Sequence, residues 1–154
     1  MAFPIGAAAV VVAYMVGSVN RKRNLAILQR NDATTVLPIQ GARLQIIGSR
    51  PPEGMLRLPG HGGVIVSGDC LQNWGTVDPY FNGVGRVMMR WMGFIRPHNI
   101  GPAWLRQGKP PKEHLRAILD SPFAHVLPAH GAPVIGNATE LYRAAIDRVA
   151  PAAP

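Results

Sequence analysis

The sequence predicts a layered α/β domain of the α+β kind, a mixed sheet flanked by helices. Three observations carry that prediction. Short runs rich in β-branched residues come first, helical periodicities follow, and a further strand falls before the last helix. A chain of 154 residues suits one domain. With 47% apolar and 16% charged residues, dominant disorder is excluded. The 17 glycines and 15 prolines follow no period, which excludes collagen and repeat arrays.

The elements are expected in this order. Thr34–Ile39 and Ala42–Ile47 read as short strands split by Gln40-Gly41. Ser49–Gly54 is a loop, because Pro51 and Pro52 stop any element. Met55–Leu58, a Gly-rich turn through Pro59–Gly63, and Val64–Ser67 form a hairpin. Val64 to Val66 are apolar at successive positions, as in a strand covered on both faces. Val84, Val87, Met88, Trp91, Met92 and Ile95 fall on one face of a helix over Val84–Ile95, and that stripe is expected in the core. Gly101-Pro102 opens a short turn. Pro111 precedes a helix over Lys112–Leu119, and Phe123–Leu127 is a strand ending at Pro128. Asn137, with Glu140 three residues on, gives capping-box spacing for a last helix that runs to about Val149 and stops at Pro151. The layered domain is therefore 34–150, with 151–154 as a tail.

Residues 1–33 differ in kind. Ala2 to Val19 are uncharged and mostly apolar, and Arg21-Lys22-Arg23 follow. As a helix, eighteen residues span roughly 27 Å, the lower bound for a bilayer core. Small residues, Pro4 and Gly6 favour a buried or irregular element over a membrane span, and the change of composition permits a segment foreign to the domain. A cleaved signal peptide is not expected, since the positive charge follows the apolar run.

Lys and Arg number 16 against 8 acids, a formal charge of +8. The cations are scattered apart from residues 21–23, and the few aromatics do not interleave with them, so nucleic acid is not the expected partner. The single cysteine, Cys70, excludes an internal disulfide and suits a reducing, cytoplasmic setting.

Two strand ends offer chemistry. Val64–Gly68 delivers Asp69, and His125–Pro128 delivers His130 followed by Gly131. A carboxylate and an imidazole are ligand types for zinc or iron. Further pocket candidates are Glu53, His61 and His98; His114 is expected on an exposed helix face, while Cys70 and His125 read as structural.

The strings GGVIVSGDCLQNW, GFIRPHNIGPAW and HVLPAHGAPV resemble the second half of a metallo-β-lactamase-fold hydrolase, over roughly Leu37 to Arg148. The resemblance implies the C-terminal half of an αββα sandwich, a two-zinc centre with Asp69 and His130 as ligands, and hydrolysis of an ester, amide, thioester or phosphoester by metal-bound water. The family's H-x-H-x-D-H segment is absent, as is a histidine near Arg50–Gly54. Two readings follow. One is a metal-dependent hydrolase whose remaining ligands come from a partner chain or atypical residues, acting on a small molecule. The other is a truncated or diverged non-catalytic remnant that works through association. The missing histidines imply less than stoichiometric zinc and an inactive isolated chain, and a half-fold implies exposed apolar sheet surface and self-association.

Overall fold

The computed structural model describes residues 37, 39–77 and 79–152. A five-stranded mixed sheet, ordered β1-β2-β3-β6-β7, organises the chain. β1 (Arg43–Ile47) pairs antiparallel with β2 (Glu53–Leu58), and β2 with β3 (Val64–Ser67). β3 runs parallel to β6 (His125–Pro128), and β7 (Val134–Ile135) closes the edge antiparallel. A separate ribbon pairs β4 (Leu71–Trp74) with β5 (Arg96–Ile100). β4, β5 and β7 have no counterpart among the expected elements, being too short or too polar to stand out; β5 reads Arg-Pro-His-Asn-Ile. Mixed α+β architecture is thus observed. The first expected strand, Thr34–Ile39, lies mostly outside the described residues, and Ile39 itself is in a bend. Residues 1–33 lie wholly outside them.

The helices are α1 (Gly83–Trp91), α2 (Pro102–Gly108), α3 (Lys112–Arg116), which continues as a 3-10 turn over Ala117–Leu119, and α4 (Ala138–Val149). The core joins one sheet face to α4 and α3. Ile47, Met55, Ile65 and Val126 from the sheet meet Leu115, Ile118, Tyr142 and Ile146, all essentially inaccessible. Burial of each such side chain stabilises by roughly 1.5–3 kcal/mol. On the other face, Leu56 and Val66 are paired and buried while Leu127 is exposed. The central strand is therefore covered on both faces at Ile65 and Val66, as its unbroken apolar run predicts. Arg57 ties the sheet to the 3-10 turn, donating to Gln45 Oε1 at 2.7 Å and to the Ile118 carbonyl at 2.5 Å.

Several expectations are corrected: the helix expected over Val84–Ile95 ends at Trp91, and β2 begins at Glu53, inside the expected Ser49–Gly54 loop. The α1 stripe is not core. Val84, Val87, Met88 and Trp91 are exposed, and no residue of α1 is buried. Periodicity fixes which face is apolar, whereas its cover depends on tertiary placement. The capping box of α4 does not form. Asn137 adopts a left-handed conformation (φ 54°) without a side-chain cap, and Glu140 turns to Arg143. Thr139 does the anchoring instead: its Oγ1 accepts from the Phe123 N–H at 2.7 Å and donates to the Phe123 carbonyl at 2.8 Å.

Candidate active site

Register places the two strand ends together. Ser67 and Pro128 are partners across the parallel β3–β6 pair, and the Ala129 N–H donates to the Ser67 carbonyl at 3.0 Å. Asp69 and His130 each lie two residues beyond those partners, so they emerge at the same level. His130 Nε2 stands 2.9 Å from Asp69 Oδ1, with both side chains about half-exposed. The hydrogen bond to Asp69 raises the His130 pKa against a smaller opposing effect of burial.

The loop carrying His130 is held by its neighbours. Asn73 N–H donates to the His130 carbonyl at 3.0 Å, Ala132 N–H donates to the Asn73 carbonyl at 3.1 Å, and Asn73 Nδ2 donates to the Ala132 carbonyl at 2.8 Å. Gly131 has φ 94°, and a Cβ there would collide with the Asn73 carbonyl. Only glycine admits so close a backbone approach at that φ. Trp74 lies flat on the His130 ring, with centroids 5.9 Å apart and planes 10° from parallel. Nothing in the residue types alone pointed to Asn73 or Trp74. Their place immediately after the Asp69 strand end is the one signal that could have found them.

Glu53 belongs to the same cluster. Its Oε1 accepts from the Cys70 N–H at 2.8 Å. Burial, reinforced by the negative charge of Asp69, pushes its pKa from 4.5 up to about 7 against the lowering effect of backbone hydrogen bonds. Next to Trp74 and Gly131 is an open cavity of about 390 Å³, walled also by Thr76, Val77 and Pro79. That volume is at the small end for ligand sites.

The other candidates are elsewhere or otherwise occupied. His61 sits exposed in the β2–β3 turn, at the end of β3 opposite Asp69. His98 lies on β5; its ring meets Tyr142 edge-on at 5.8 Å, and its backbone N–H donates to Asn73 Oδ1 at 3.3 Å. His125 Nδ1 accepts from the Gly136 N–H, a structural role. His114 is only partly exposed, because its Nδ1 accepts from the Gly48 N–H at 3.0 Å across the fold. Cys70 is fully buried.

No protein-family model, curated protein or solved structure matches this chain.

A zinc centre takes three or four protein ligands. Among the described residues, no three His, Cys, Asp or Glu side chains are grouped to hold an ion. Asp69 and His130 offer two donors, already hydrogen-bonded to one another. Among the described residues the pair therefore supplies two of the three or four ligands that a zinc ion takes.

Proposed function

We propose that the chain is a diverged hydrolase of the metallo-β-lactamase type, with a site left incomplete among its described residues. The observation that supports this reading is the 2.9 Å approach of Asp69 Oδ1 and His130 Nε2 at adjacent parallel strand ends. In the pair, Asp69 Oδ1 accepts a hydrogen bond from the His130 Nε2–H, fixes the imidazole orientation and favours its protonated form. Trp74 restrains the ring from one side. Glu53, beside Asp69, holds a proton up to near neutral pH and so limits the negative charge around the pair. The neighbouring cavity is where a small ester, amide, thioester or phosphoester would lie. Completion of a metal centre requires donors from a partner chain or from outside the described residues.

Metal analysis and zinc titration of the purified chain test the reading. Zinc is expected below one ion per chain, with affinity at least tenfold weaker in Asp69→Asn and His130→Gln. Two tightly held ions per chain would refute the incomplete site, and unchanged affinity in both variants would refute the pair as metal-facing.

A second reading, a non-catalytic module working through association, is favoured by the uncovered apolar face of α1. A concentration-independent monomer in sedimentation experiments counts against self-association.

A further inference from the structure

The end of the main sheet opposite Asp69 carries an inference that does not rest on the hydrolase reading. Arg43 of β1 and Arg57 of β2 are direct partners in the antiparallel register, so both side chains leave the same face of the sheet. Like charges so placed repel one another. Among the described residues neither arginine has an ion pair, and Arg43 has no hydrogen bond either. Arg57 is half-buried and held in place. Its guanidinium donates to Gln45 Oε1 at 2.7 Å and to the Ser121 and Ile118 carbonyls at 3.1 and 2.5 Å, and it lies over the Phe123 ring, 5.6 Å from the centroid. All these partners are neutral, and they leave part of the N–H fork unused. Asp120 favours the charge of Arg57 electrostatically but forms no ion pair with it. A cation taken partly out of water without a charged partner is a costly arrangement.

The two arginines wall one cavity of about 190 Å³, together with Gly63, Ser121 and Phe123. Ser121 is exposed there, and its hydroxyl makes no hydrogen bond among the described residues. The lining selects the occupant. It contains no acid, so a cation has nothing to hold it. A carboxylate carries one charge and is satisfied by one guanidinium fork. Two guanidiniums and a hydroxyl on one cavity match a dianionic tetrahedral group, whose oxygens accept from several directions. The volume suits a phosphoryl group with at most a short substituent, since larger ligands occupy roughly 300 Å³ or more.

We propose that Arg43 and Arg57 bind a phosphoryl group in this cavity, that of free phosphate or of a small phosphomonoester, with Ser121 as a further donor. Titration of the full chain with sodium phosphate at pH 8 tests this, followed by arginine side-chain NMR against sodium chloride of equal ionic strength. Phosphate is expected to shift the Arg43 and Arg57 Nε–H signals saturably and to raise the melting temperature, and chloride to do neither. Arg43→Gln should weaken phosphate binding at least tenfold and abolish the phosphate-dependent rise in melting temperature. Without phosphate it should melt no lower than wild type, because the repulsion across the strand pair is gone. Arg57→Lys keeps the charge without the fork and should also bind more weakly. Since Arg57 ties the sheet to the 3-10 turn, the exposed Arg43 is the deciding position. Asp120→Asn should tighten binding by removing a competing negative charge. Undiminished phosphate binding by Arg43→Gln overturns the proposal, as does a wild-type response to phosphate no greater than that to chloride. Equal affinity for acetate overturns the phosphoryl assignment. Glycerol phosphate separates the two sources: affinity at least equal to that of inorganic phosphate assigns the site to a phosphomonoester, and weaker affinity assigns it to free phosphate.

Discussion

Helices α1 and α4 carry the same kind of sequence pattern and have opposite fates. Each is amphipathic at helical period. In α4, Ala138, Tyr142, Ala145 and Ile146 are sealed in the core, and the Tyr142 hydroxyl donates to the Gln72 carbonyl at 3.1 Å. In α1 nothing is buried, although its side chains are larger and more apolar. The stronger stripe is the uncovered one. What separates them is reach. α4 follows β6 and β7 directly and is pinned to Phe123, which lays it on the sheet, whereas α1 hangs between β4 and β5, the strands of a two-stranded ribbon.

The comparison breaks if the two helices prove equally sensitive to truncation. Ile146→Ala should cost about 2–5 kcal/mol in urea unfolding, since a fully buried side chain leaves a cavity. Gly131→Ala should cost about 1–3 kcal/mol, because it forces a strained φ and a backbone collision at Asn73. The His130 ring resonances should shift in the same variant as its loop moves. Tyr142→Phe should lose about 1 kcal/mol with the buried hydroxyl hydrogen bond.

Trp91→Ala sits at the bottom of the scale, within about 0.5 kcal/mol of wild type. A loss approaching that of Ile146→Ala would mean that α1 is covered in the folded protein.

Two pH experiments sharpen the picture at the strand ends. The Glu53 pKa is raised from 4.5 to about 7 in the fold, so the folded state binds the proton more tightly and loses stability as pH climbs through that window. Glu53→Gln should therefore raise the melting temperature at pH 8, with the gain fading below about pH 4.5. His130 is shifted upward by Asp69, so their pairing stabilises most below the usual histidine range and fades as pH rises through the folded value. Asp69→Asn should lower the His130 pKa in an NMR titration and should destabilise more at pH 6 than at pH 9.

The hairpin of β2 and β3 was legible because an apolar run, a Gly-rich turn and a second apolar run leave few alternatives. Asp69 and His130 were legible as strand-end groups. Their approach was not, because it depends on β3 and β6 being parallel neighbours although about sixty residues apart in the chain. Glu53 is a pocket candidate by residue type, but its raised pKa is not legible in the sequence, because it comes from burial against the Asp69 turn. His61, by contrast, was as good a candidate by residue type and ends up at the far end of β3. Trp74 gives no such signal, because stacking on an imidazole leaves no mark in local sequence.

By itself, the sequence determined β1, the β2–β3 hairpin, β6 and the existence of helices α1, α3 and α4, which side of α1 and α4 is apolar, and which strand ends present a carboxylate and an imidazole. These follow from local sterics, turn chemistry and the periods of backbone geometry. Tertiary structure alone decided that those two groups meet, that a half-buried glutamate joins them, and that α4 is covered while α1 stays open. Contacts between distant segments depend on strand order and packing, and a local pattern encodes the need for a partner without encoding which partner answers it.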